Sequence, residues 1–135
     1  MTDRAEVWAR VRAIYDGFLA GDTEGVDALL DSDVTIWDAG EFPLARGLEQ
    51  LRDIRRRRPR EPGAPAVVRL DARDPVIDVW GDTALVRHIL VVEMSDGTRQ
   101  TVRNTSVWRR AEGAWLAVHN HEDVAGGGDT GGCHG

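Results

Sequence analysis

Residues 106–124, SVWRRAEGAWLAVHNHEDV, hold the densest group of side chains able to do chemistry: His119, His121, Glu122 and Asp123. Residues two apart on a strand share a face, so His119 and His121 are spaced to ligate one metal ion, with a carboxylate completing the set. No second group of ligands has a spacing that converges on them, and His88 stands alone in an apolar run. The histidine pair therefore reads as packed surface, and no metal or other cofactor is expected. All 17 basic residues are Arg, which excludes Schiff-base and pyridoxal-phosphate lysine chemistry, since both need an amine. Cys133 and His134, in GGGDTGGCHG, offer two ligands where structural zinc takes four. The Arg55–Arg58 run reads as a solvated helix end near the negative pole of the helix dipole rather than as an anion site.

The elements that must position these residues fall into two halves. Val7, Val11, Ile14 and Phe18 recur at helical spacing, widened by Trp8, Tyr15 and Leu19. Gly21 stops that helix, and Asp22 is a suitable N-cap for a second one carrying Val26, Leu29 and Leu30. DVTIWDAG has the β-branched content of a short strand ended by glycine. A third helix opens at Gly47 and runs out before Pro59 and Pro62. From Ala66 the hydrophobic period becomes two. Runs over 66–80, 83–95, 98–110 and 114–123 are separated by Gly81-Asp82, Asp96-Gly97 and Glu112-Gly113, turns short enough for hairpins. Pro75 makes the first run an edge strand or a bulged one. Three N-terminal helices on one curved antiparallel sheet make an α+β domain over 1–124. The Gly-rich residues 125–135 lack apolar periodicity and are expected to be a disordered tail.

The totals agree with one soluble domain. At 135 residues the chain can remove about two-thirds of its surface from water. A net charge of −6 disfavours a nucleic-acid partner, because phosphate recognition rests on cations. No apolar run reaches the length of a membrane span, and the amino terminus lacks a signal-peptide core. With one cysteine, a reducing, cytoplasmic setting is expected.

The order of elements resembles the nuclear transport factor 2-like superfamily, which includes SnoaL-like polyketide cyclases and ketosteroid isomerases, and this resemblance implies a cone-like, strongly curved sheet of the cystatin-like half-barrel type. AGDTEGVDALLDSDVTIWDAG is similar to the family's helix–helix–strand opening. VWRRAEGAWLAVHNH is similar to the last hairpin of the calmodulin-dependent kinase association domain. The resemblance covers about residues 5–124 and specifies fold more than reaction, because this scaffold hosts many chemistries. It places Asp38 at the base position of the isomerases, where a carboxylate moves a proton alpha to a carbonyl. The isomerase oxyanion donors are not reproduced: the helix-one tyrosine aligns nearer Ile14 than Tyr15, and the acidic strand position falls at Thr105 or Ser106.

The register of the last hairpin decides which face meets a cavity. A two-residue Glu112-Gly113 turn would set Ser106 opposite His119; a three-residue Ala111-Glu112-Gly113 turn with a bulge would set Thr105 opposite His119. The bulged turn is favoured. Carrying over the association domain's pocket positions to Ser106 and Glu122 implies a cavity lined by Asn104, Ser106, Trp108, Asn120 and Glu122, with Tyr15 and Trp37 beside Asp38. Trp115, His119 and His121 then occupy the opposite face, the expected homodimer contact. The reading is a SnoaL-like small-molecule enzyme of proton-transfer type (isomerase, cyclase or dehydratase) acting on a small apolar carbonyl compound. The alternative is a non-catalytic dimeric module that binds a ligand or scaffolds partners.

Overall fold

The computed structural model describes residues 2–38, 43–58 and 62–125. The tail from Gly126, with Cys133, lies outside the described residues, as do Ala39, Gly40 and Pro59.

Helix α1 (Asp3–Ala20) starts where the Thr2 hydroxyl accepts from the Ala5 amide at 3.1 Å. It stops at Gly21, whose φ of 71° lies in the left-handed region that glycine enters without strain. Val7 and Val11 are its buried residues, while Phe18 and Leu19 are exposed. Gly17 lets the next helix approach closely, since a Cβ there would lie 2.8 Å from Val26 Cγ2. Helix α2 (Thr23–Asp27) is capped by Asp22, whose carboxylate accepts from the Gly25 amide at 2.9 Å. Strand β1 (Leu30–Trp37), the short β2 (Ala45–Arg46) and helix α3 (Gly47–Arg57) follow. Buried Asp27 accepts from Arg52 Nε at 3.0 Å and Arg55 Nη1 at 2.8 Å, which ties α3 to the end of α2.

Four long strands complete the domain: β3 (Val67–Trp80), β4 (Thr83–Met94), β5 (Arg99–Ala111) and β6 (Ala114–Val124). The sheet order is β2-β1-β6-β5-β4-β3. β3 to β6 form the antiparallel meander that the hairpin signals predict, and β3 is both an edge strand and bulged between Arg73 and Val76, beside Pro75. The sheet as a whole is mixed rather than antiparallel, because β1 lies parallel to β6. Those two strands are far apart in the chain, so no hairpin turn dictates their relative direction. The core joins Val7 and Val11 to Leu30, Val34, Ala84, Val86, Trp108, Trp115 and Ala117.

The last hairpin corrects the favoured register. Ala111 pairs with Ala114, leaving a two-residue turn in which Glu112 and Gly113 both have positive φ, 51° and 80°. This is the primed geometry that matches strand twist. The extra residue sits further along, at Val118: Trp108 pairs with Ala117, but Val107 pairs with His119. A bulge reverses the alternation of the strand that carries it. Trp115 and Ala117 therefore face the core, whereas His119 and His121 beyond the bulge face outward. Trp115, expected on the outer face with the histidines, is buried at 2% exposure.

Candidate active site

The concave face of the sheet carries alternate residues of three strands: Val86, His88 and Leu90 on β4, Asn104, Ser106 and Trp108 on β5, Asn120 and Glu122 on β6. Helix α1 contributes Val11, Ile14, Tyr15 and Phe18, and α3 contributes Leu51 and Arg55. Together they enclose a cavity of about 600 Å³, within the range that holds small organic ligands. Most of its wall is aliphatic, so each polar group on it has a local consequence.

At the inner end, Trp108 Nε1 donates to Ser106 Oγ at 2.9 Å, which satisfies the indole of a fully buried ring. The Tyr15 hydroxyl lies 2.7 Å from His88 Nε2. The His88 ring is also set edge-on to Trp8 and Tyr15, at centroid distances of 5.4 and 5.7 Å. Burial pushes His88 down from 6.5 to about 4, so the imidazole is neutral at physiological pH. The Tyr15 hydroxyl is pushed well above its ordinary value, first by burial and then by the negative charge of Glu122. Glu122 is raised as well, by burial and by the neighbouring charge of Asp38, against the opposing effects of Asn104 and Arg58. Asn104 Nδ2 is 3.4 Å from Glu122 Oε2. Nearer solvent, Arg58 Nη2 donates to Asp38 Oδ2 at 3.0 Å, with the Asp38 side chain one-third exposed.

Tyr15, Asn104, Ser106, Trp108, Asn120, Glu122 and Asp38 thus share one cavity. A bulge at Val118 has the same effect on the facing of Asn120 and Glu122 as a bulge at the turn. Trp37 does not belong to the set. It is 41% exposed on the convex face, beside His121 at a ring distance of 6.4 Å. Its strand neighbour Ile36 is the one that lines the cavity. On the same convex face, the Thr35 hydroxyl lies 2.7 Å from His119 Nδ1. Among the described residues no three His, Cys, Asp or Glu side chains converge as a metal site. No described helix is long and apolar enough to cross a membrane.

Among the titratable side chains that line the cavity, three lie outside the expected set: His88, Arg55 and Arg58. The alternation Ala84, Val86, His88, Leu90 was the available signal for His88, since a polar residue at a core-facing position needs a partner. From the sequence alone, the whole Arg55–Arg58 run reads as a solvated helix end. Arg56 and Arg57 do pair locally with Asp53, but Arg55 and Arg58 reach Asp27 and Asp38 across the fold.

Solved structures share this architecture. The calmodulin-dependent kinase hub homology domain of Chlamydomonas reinhardtii is 23% identical, with a TM-score of 0.75 over 93% of this chain and 100% of that one. A ketosteroid isomerase-like protein from Parabacteroides distasonis is 24% identical, with a TM-score of 0.70 over 87% and 86%. An NTF2-like protein of unknown function in nutrient uptake from Rhodospirillum rubrum is 28% identical, with a TM-score of 0.68 over 92% and 99%. No curated protein matches in sequence. The sequence profile of the SnoaL-like domain matches residues 11–118, and the chain belongs to that family.

Proposed function

We propose that the cavity is the active site of a proton-transfer enzyme, of isomerase, cyclase or dehydratase type, acting on a small, mostly apolar carbonyl compound. The observation that carries this reading is Glu122. Its carboxyl group sits in an aliphatic cavity with a raised proton affinity, and faces the same space as the Tyr15 hydroxyl. A carboxylate raised toward working pH is a competent base, because it holds the proton it abstracts. Asp38, at the family's base position, is engaged by Arg58 at the cavity's exposed end. Its charge raises Glu122, so the two carboxylates divide the work: Asp38 tunes and Glu122 accepts. Tyr15, Ser106 and Asn120 are the hydroxyl and amide groups available to a developing oxyanion.

The hydrogen–deuterium exchange of the alpha protons of 2-tetralone in D₂O, followed by proton NMR, tests the reading without knowledge of the natural substrate. Wild-type protein should accelerate the exchange, Glu122→Gln should lose about 10²–10⁴ of the acceleration, and Asp38→Asn should lose less. Wild-type rates equal to buffer, with 2-tetralone bound, would favour a non-catalytic binding module. The likeness in fold to hub domains supports that second reading.

The same proposal places a homodimer contact on the convex face of the sheet, around His119 and His121. On that face Trp37, beside His121, is 41% exposed, and Val76 and Trp80, on β3 at the far edge of the sheet, are 56% and 59% exposed; large apolar groups in water favour association.

A further inference from the structure

His88 poses a hydrogen-bonding problem that only one arrangement of its proton relieves. The ring is 4% exposed, and its Nδ1 is buried without a hydrogen-bond partner among the described residues. Its Nε2 meets the Tyr15 hydroxyl at 2.7 Å. A neutral imidazole has one N–H and one lone pair. If the proton were on Nδ1, a buried N–H would be left unpaired, which folded proteins tolerate less readily than an underused acceptor. An Nδ1–H directed at the Trp8 ring would offset this only weakly, since N–H···π contacts are weaker than N–H···O bonds. With the proton on Nε2, His88 donates to Tyr15 Oη, and the Tyr15 O–H is released from the imidazole.

We infer that His88 is a positioning residue whose Nε2–H tautomer turns the Tyr15 hydroxyl into the cavity as a donor for the carbonyl oxygen of the ligand. The inference rests on the proton-transfer reading of the same cavity, and adds to it the group that binds the oxygen. Donation from His88 polarises the Tyr15 O–H and strengthens it as a donor. No atom other than the tyrosine proton need move as the oxygen gains charge. The ligand must therefore present an acceptor oxygen, ketone or enolate, at Tyr15; an amine in that place would leave the phenol without its acceptor or meet it donor to donor.

The test is a long-range proton–nitrogen NMR correlation on uniformly ¹⁵N-labelled wild-type protein, with the His88 signals assigned by their loss in His88→Gln. The expected result is a protonated Nε2 and an unprotonated Nδ1, unchanged from about pH 5 to 8. A protonated Nδ1 would overturn the inference, as would a ring that titrates in that range. Tyr15 is the chain's one tyrosine, so its ultraviolet absorbance supplies an independent reading. Under the inferred tautomer, tyrosinate in folded His88→Leu forms at a higher pH than in wild type, because a group that stabilised the phenolate has been removed. Tyrosinate forming at a lower pH than in wild type would mean that Tyr15 had been donating to His88. Either NMR outcome leaves the Glu122→Gln exchange experiment untouched, so the tautomer and the proton-transfer reading fail separately.

Discussion

The two faces of the β5–β6 ladder are built from neighbouring residues and do different work. On the concave side, Asn104, Ser106, Asn120 and Glu122 meet in an enclosed aliphatic space. On the convex side, Thr105, Val107, His119, His121 and Asp123 meet water. Burial shifts proton affinities on the first face, as Glu122 and His88 show. On the second, charges find partners at the surface. Arg103 grips Asp123 at 2.9 Å, and Arg87 pairs with Asp78; exposed pairs of this kind contribute little to stability. One inserted residue, Val118, sorts the side chains. Without a bulge, the alternation that buries Trp115 and Ala117 would carry His119 and His121 into the cavity and turn Glu122 out.

The largest expected effect separates Trp115, expected on the outer face but buried, from Trp37, expected in the cavity but exposed. Trp115→Ala should destabilise the fold by about 3–5 kcal/mol, because a fully buried ring is removed. For a domain of this size that lowers the melting temperature by roughly 10–20 °C. Trp37→Ala, on the convex face, should cost a small fraction of this. A Trp115→Ala protein that keeps its melting temperature but changes its oligomeric state would put Trp115 back on the outside.

The next effect concerns pH. His88 binds its proton at about 4 when folded and near 6.5 when unfolded. Between those values the unfolded chain holds more protons, so stability falls as pH drops from about 6.5 to 4. The loss is about 3 kcal/mol, at roughly 1.4 kcal/mol per unit. Denaturant midpoints of wild type and His88→Gln should therefore converge as the solution is acidified. A constant gap would mean that His88 is not held neutral. On the convex face, His121→Glu should weaken the proposed homodimer at micromolar concentration, as light scattering would show, and leave the cavity's ligand affinity unchanged. A monomeric wild type under the same conditions would remove the interface.

Much of the fold was legible because local signals agreed with it. Gly21, Asp22 and Gly47 mark helix ends, and the three short turns fix an antiparallel meander. The parallel placement of β1 was not legible, since no turn links it to β6. The concave set Asn104, Ser106, Trp108, Asn120 and Glu122 was reached through alternation and family likeness. Its error in detail, Trp115, came from putting the bulge at the turn, four residues before its true position at Val118 if counted from Ala114. Trp37 failed for a related reason: on a strand, the neighbour of a cavity residue faces away from the cavity. The pairing of Tyr15 with His88, 73 positions apart, depends on how helix and sheet pack, which no local pattern records.

The most direct measurement is the titration of the Glu122 carboxyl carbon by ¹³C NMR, assigned by its absence in Glu122→Gln. Burial beside Asp38 predicts a midpoint above the ordinary glutamate range, falling toward it in Asp38→Asn as the neighbouring charge is removed. A Glu122 that titrates in wild type together with the exposed glutamates would contradict its role as the cavity's proton acceptor.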